Sequence, residues 1–128
     1  MNEELTSILQ QLLDAGPGAD AYHLRLVDDF TRRDVGPKET DELFASFLAD
    51  FEDALATVQR EWGEPSYRGA VDSDDFPSWS EALVLAYWQR DGALAFISLR
   101  HDDDHQPMFL EVGALTDDEA STLAYTRS

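Results

Sequence analysis

The chain has 128 residues, of which 43% are hydrophobic and 11% aromatic, and its formal net charge at pH 7 is −18. This hydrophobic content suffices for a folded core and argues against intrinsic disorder. The absence of cysteine excludes disulfides, thiolate metal sites and a cysteine nucleophile. The length fits one core, so we predict a single domain over residues 1–128.

The acidity restricts the partners that the chain can bind. Its 27 Asp and Glu residues outnumber its nine Lys and Arg residues, so nucleic-acid phosphates and anionic membrane surfaces are repelled. A basic protein would be attracted by the same field. Alternatively, the acidity reflects a salt-adapted source or a GC-rich genome and serves solubility alone. The composition leaves both interpretations open.

Two further features bear on location. The longest apolar run, from Ala82 to Trp88, is far shorter than the roughly 20 residues that cross a membrane. The acidic, amphipathic start of the sequence lacks the basic and continuously apolar segments of a secretory signal. We therefore expect a cytoplasmic protein that does not insert into membranes.

The first half of the sequence, about residues 1–63, is predicted to be helical. Apolar residues at i, i+3, i+4, i+7 and i+8 predict a first helix that ends at Gly16-Pro17. Residues 38–62 are predicted to form the longest helix, with Gly63 as its C-terminal cap. Residues 20–33 are interpreted as a second helix, although Tyr22, Leu24 and Leu26 also alternate as in a strand. Residues 64–80 are predicted to be a loop, with a short strand around 66–71 as the alternative.

From Glu81 onward the apolar period changes to two, which is typical of strands. Asp91-Gly92 predicts a type I′ hairpin in which Tyr87 faces Phe96. A third strand over 108–113 extends the antiparallel meander of about 81–113, and a capping box begins a terminal helix at about 116–126. The fold class is therefore α+β, with N-terminal helices packed on one face of a three- to four-stranded antiparallel meander and a short C-terminal helix.

The two faces of the predicted meander differ in polarity. One face is apolar throughout and is expected to pack on the helices. The other face mixes aromatic and aliphatic residues with polar ones, and Arg100 and Glu111 are placed to pair across strands. If this mixed face is exposed to solvent, it presents an aromatic patch bordered by polar groups, as protein-binding sites do. In the alternative interpretation the long helix or the terminal helix covers it and makes it core.

The candidate metal ligands lie in the run from His101 to His105. Imidazole and carboxylate groups bind divalent metals, so His101, Asp103 and His105 are the candidate ligands, with a solvated acidic turn as the alternative. His23 cannot be placed from the sequence. The candidate partner-binding residues combine the aromatic strand positions with an aromatic and acidic loop: Tyr87, Phe96, Phe109, Trp79, Asp74 and Asp75.

We find no phosphate-binding glycine loop, G-x-S-x-G elbow or H-E-x-x-H motif in the sequence. The favoured function is an acidic protein-binding module without catalytic activity or cofactor. It would bind a basic protein, as bacterial immunity proteins of similar size, charge and fold class do, or as another inhibitor or adaptor does. The alternative is a metal-dependent or acid/base enzyme, or a small-molecule binder, at the loop from His101 to His105. Homodimerisation through the sheet edge or the mixed face is a third hypothesis.

Overall fold

The structure, a computed structural model, describes residues 4–15, 21–27, 37–72, 76–77, 80, 82–90, 92–101 and 108–127. This part of the chain forms three helices and five strands. In chain order they are α1 (Glu4–Ala15), β1 (Tyr22–Val27), α2 (Pro37–Trp62), β2 (Tyr67–Ala70), β3 (Val84–Arg90), β4 (Ala93–His101), β5 (Met108–Thr116) and α3 (Asp117–Arg127). None of the helices in the described ranges combines the length and the apolar character that crossing a bilayer requires.

The strands form one antiparallel sheet in the order β1-β5-β4-β3-β2. The α+β class is confirmed, but the sheet has five strands rather than three or four. The predicted hairpin register is also confirmed, because Tyr87 pairs with Phe96 and Arg90 pairs with Ala93. Gly92 has a φ of 73°, as the second residue of such a turn requires. The meander β3-β4-β5 is thus the centre of the sheet, and β1 and β2 are its edges.

The helix predicted over residues 20–33 is wrong for residues 22–27, which form β1 and pair with β5. The other residues of that range, apart from residue 21, lie outside the described residues. A short apolar run fits both periodicities, and here the backbone partners offered by β5 decide in favour of a strand. The register shifts between His23 and Arg25 as in a β-bulge.

Helices α1 and α2 pack together on one face of the sheet, mainly over β4 and β5. This is the face predicted to be apolar, and its side chains form the core with those of the two helices. Each fully buried Leu, Ile or Phe side chain contributes about 1.5–3 kcal/mol relative to an exposed one. The core includes Leu9, Phe47, Phe51, Val58, Trp88, Ile97, Leu99, Leu110 and Val112.

The C-terminus of α2 ends at the glycine that the sequence predicts as its cap. Gly63 has a φ of 83°, and its N–H donates to the Gln59 carbonyl at 2.9 Å. The Gly63 carbonyl accepts a hydrogen bond from the Trp88 indole N–H at 2.9 Å. Trp62 packs edge-on against Trp88 with ring centroids 6.2 Å apart. The cap therefore fixes the end of α2 to β3.

Both edge strands are tied to α2 by arginine side chains. On β1, the Arg25 guanidinium donates to Asp50 at 2.7 Å and lies 4.2 Å above the Phe47 ring. On β2, Arg68 forms an ion pair with Glu52. These four charged side chains are between 32% and 50% exposed, so each pair contributes no more than about 1 kcal/mol.

The first turn of α3 has the predicted capping box. The Glu119 N–H donates to the Thr116 hydroxyl at 3.1 Å, and the Thr116 N–H donates to the Glu119 carboxylate at 3.0 Å. Gln89 of β3 donates its side-chain amide to Asp117 at 2.8 Å. The start of α3 is therefore held beside the end of the sheet.

Candidate functional site on the outer face of the sheet

The sheet face opposite α1 and α2 is here called the outer face, and it corresponds to the mixed face of the sequence analysis. Because α2 contributes its apolar side chains to the other face, the interpretation in which this long helix covers the mixed face is wrong. The main sheet contacts of α3 are with β5, the strand that it follows. The strand pairing gives the outer face these side chains: His23, Leu26, Tyr67, Leu85, Tyr87, Gln89, Leu94, Phe96, Ser98, Arg100, Phe109 and Glu111.

An aromatic row crosses three strands of the outer face. Tyr67, Tyr87 and Phe96 are consecutive pairing partners on β2, β3 and β4. The rings of Tyr67 and Tyr87 are stacked, with centroids 5.7 Å apart and an angle of 21° between their planes. Phe76, from the segment between β2 and β3, lies edge-on to Tyr67 at 6.3 Å. Tyr87 and Phe96 are half-buried, so their rings remain accessible at the surface.

The row continues onto β5 at a glycine. Gly113 pairs with Phe96, whose ring lies so close that a Cβ atom at position 113 would be 2.5 Å from its Cζ atom. The backbone of Gly113 does not have a positive φ. Glycine is therefore required at this position because the Phe96 ring occupies the space of a side chain.

Gly113→Ala is expected to lower the free energy of unfolding by about 1–3 kcal/mol, because the added methyl group overpacks against the Phe96 ring. Urea denaturation followed by circular dichroism measures this loss. The control is Phe96→Leu, alone and combined with Gly113→Ala. Since the smaller side chain relieves the collision, the double variant should be more stable than the sum of the single losses implies. Strict additivity, or a neutral Gly113→Ala, would contradict the contact.

A buried carboxylate lies between the aromatic row and Phe109. The Glu111 side chain is 9% exposed, with Arg100 Nη1 at 3.6 Å and His23 Nε2 at 3.8 Å from its oxygens. The Ser98 hydroxyl donates to Glu111 Oε1 at 3.3 Å. Burial of a carboxylate is costly unless such partners compensate it. The Arg100–Glu111 pair predicted from the sequence is thus confirmed.

Arg100 and His23 also border Phe109, the aromatic residue on the other side of Glu111. The Arg100 guanidinium lies 5.2 Å from the centroid of the Phe109 ring. The His23 ring is tilted against Phe109 with centroids 5.0 Å apart. A guanidinium next to an aromatic face contributes a favourable contact beyond the ion pair. Phe109, His23 and Arg100 thus lie together beside Glu111 on the outer face.

The cluster around Glu111 lacks the arrangement of a nucleophile and its base. Ser98 is 2% exposed, so a substrate could not reach its hydroxyl without rearrangement. The Ser98 hydroxyl donates to Glu111, and a nucleophile would instead donate to a base such as His23. We conclude that these side chains compensate the charge of Glu111 and define the shape of the outer face.

The predicted partner-binding residues are brought together in part. Tyr87, Phe96 and Phe109 all lie on the outer face. Trp79, Asp74 and Asp75 lie outside the described residues, and their part in binding stays a prediction.

The predicted metal ligands are only partly described. His101 is the last residue of β4 and pairs with Met108, which places it on the helix-covered side of the sheet. Asp103 and His105 lie outside the described residues, so the metal site stays a prediction. Among the residues that are described, no group of three or more His, Asp or Glu side chains is arranged to hold a metal ion.

Sequence reasoning missed the contributions of the two edge strands. His23 could not be placed because its segment was interpreted as a helix, and the Tyr22, Leu24, Leu26 alternation was the available signal. Tyr67 lies in a strand that was only an alternative, and its stacking on Tyr87 depends on that pairing. Comparisons with known protein families, with curated proteins and with solved structures give no match to this chain.

Proposed function

We propose that this protein is an acidic binding module without catalytic activity that captures a basic protein on its outer face. The observation that carries the proposal is the placement of both α1 and α2 on the opposite face. The half-buried rings of Tyr87, Phe96 and Phe109 consequently share a surface with a compensated carboxylate.

The aromatic row supplies the contact energy in this proposal. Aromatic side chains bury a large area on binding and have few rotatable bonds, so they dominate the energetics of many interfaces. Stacking of Tyr67 on Tyr87 restricts these rings before a partner arrives. A surface that is already ordered loses less conformational entropy when it binds.

The charge selects the partner. Exposed acidic residues flank the sheet at both ends of its strands, with Asp72 just after β2 and Asp117 and Asp118 at the start of α3. Together with the net charge of −18, they favour encounter with a positively charged surface and disfavour an acidic one. The association rate should therefore fall as the salt concentration rises, since salt screens the long-range attraction.

The test is capture from the native host on immobilised protein at low and at moderate salt, with mass spectrometry of the bound fraction. We expect a basic protein that the wild type retains and that the double variant Tyr87→Ala/Phe96→Ala loses. Isothermal titration with the purified partner should show at least a 30-fold loss of affinity, equivalent to about 2 kcal/mol.

The matched control is Gln59→Ala, which removes an exposed polar side chain from α2 on the opposite face. Its affinity should equal that of the wild type. Thermal melts establish that both proteins remain folded. Recovery of no basic protein in either salt condition, or equal affinity of the double variant and the control, would refute the proposed function.

A further inference from the structure

A groove runs between β2 and α2, at the margin of the sheet that the helix layer does not cover. The helices contact mainly β4 and β5, whereas β2 is the last strand on its side. The Glu52–Arg68 ion pair lies in the groove, and the exposed Asp72 lies along it. Its walls are otherwise mostly apolar and include Phe44, Leu48, Ala70, Val71, Leu83 and Val84.

The backbone of β2 offers hydrogen-bonding groups along this groove. The Val71 N–H donates to the Leu83 carbonyl at 2.9 Å, and Gly69 pairs with Leu85. In an antiparallel ladder alternate residues direct their N–H and C=O groups toward the neighbouring strand. Arg68 and Ala70 therefore direct theirs away from β3. Within the described ranges the sheet has no strand beyond β2, so these groups form an open edge.

We infer that β2 accepts an extended basic segment of the protein partner as a sixth strand of the sheet. This inference rests on the proposed function and specifies which part of the partner is recognised. The segment would exchange hydrogen bonds with the outward groups of Arg68 and Ala70. Its alternate side chains would enter the groove against Phe44 and Leu48, as in other cases of strand addition.

The charges along the groove favour a basic segment over a second copy of this chain. The exposed acid Asp72 lies at the groove, and Asp41 is exposed one helical turn before Phe44. Two copies joined at this edge would bring together two chains that each carry a net charge of −18. A strand that alternates Lys or Arg with apolar residues would enter the groove with its apolar side chains, and its cations, on the opposite face, would be attracted by the net charge of −18.

The inference can be tested with a synthetic ten-residue peptide that alternates valine and lysine. NMR titration of the ¹⁵N-labelled protein should show shifts and slowed hydrogen exchange at the Arg68 and Ala70 amides. Two control peptides are matched in length, one with glutamate in place of lysine and one N-methylated at alternate residues. Each should bind at least 10-fold more weakly, because the first lacks the complementary charge and the second lacks the donors.

A protein variant tests the same contact from the other side. Ala70→Pro removes an N–H that points away from β3, and proline is tolerated on edge strands in such positions. It should weaken binding of the valine–lysine peptide at least 10-fold, whereas Ala70→Ser should bind as the wild type does. Thermal melts of both variants verify folding. The N-methylated peptide tests the same backbone hydrogen bonds without any change to the protein.

The outcomes separate this inference from the proposed function. Absence of shifts at Arg68 and Ala70 with millimolar peptide would overturn strand addition. Strand addition would also be overturned if the wild type and Ala70→Pro captured the natural partner equally while Tyr87→Ala/Phe96→Ala lost it. In that case the proposed function would stand. A dimer in light scattering that Ala70→Pro dissociates would make a second copy the occupant and would also overturn the inference. If the peptide binds at β2 but the host yields no basic protein, the proposed function fails.

Discussion

Replacing Phe51 with alanine is expected to lower the free energy of unfolding by about 3–5 kcal/mol. Phe51 is 0% exposed and lies in α2 where that helix packs on the sheet. Truncation removes the transfer free energy of the ring and leaves a cavity that surrounding side chains fill only partly. Urea denaturation followed by circular dichroism gives the change directly.

Phe44→Ala is the matched control for Phe51→Ala, since both remove a phenyl ring from α2. Phe44 is half-buried at the wall of the groove beside β2, so less apolar surface returns to water when its ring is removed. We expect less than half the loss seen for Phe51→Ala. Equal losses would mean that Phe44 is a core residue, and the description of the groove as accessible would then be contradicted.

The second large effect is an asymmetry between the members of the Glu111 cluster. Arg100→Met should lower the free energy of unfolding by about 2 kcal/mol, because it leaves a buried carboxylate without its guanidinium partner. Glu111→Gln should cost less. It keeps an oxygen that accepts from Ser98, and the Arg100 guanidinium that it leaves behind is better hydrated, since that side chain is 25% exposed.

The double variant Arg100→Met/Glu111→Gln separates the pair from the other contacts of each residue. If the ion pair is the cause, the double variant should be clearly more stable than the sum of the single losses implies. Measurements at pH 7 in low and moderate salt should give the same order, because the carboxylate is largely shielded from solvent. A greater loss for Glu111→Gln than for Arg100→Met would contradict this account of the cluster.

The central meander and the Arg100–Glu111 pair were predictable because they depend on turns and alternation within a short stretch of sequence. The dipeptide Asp91-Gly92 determines a two-residue turn, and the turn determines which residues of β3 and β4 face each other. Once that register is known, the alternation of β5 places Glu111 near Arg100. The aromatic residues Tyr87, Phe96 and Phe109 follow from the same reasoning.

The edges of the sheet were harder to predict because their partners are distant in sequence. β1 pairs with β5 near the other end of the chain, and nothing within residues 22–27 reveals that partner. The bulge between His23 and Arg25 also means that the sequence alternation does not tell which residues of β1 share a face. As a result, the sequence alone did not predict that His23 lies beside Glu111 or that Arg25 lies beside Asp50.

Both edge strands, β1 and β2, are attached to α2 by partly exposed ion pairs. We therefore expect salt to affect the stability of these edges differently from that of the core. Dissolved ions shield the abundant acids from one another and so favour compaction of the molecule as a whole. The same ions weaken the contacts of Arg25 with Asp50 and of Arg68 with Glu52, which fasten the two borders. Added salt would thus stabilise the core while weakening the attachment of β1 and β2 to α2. The strand β2, to which a further segment could add, is one of these two.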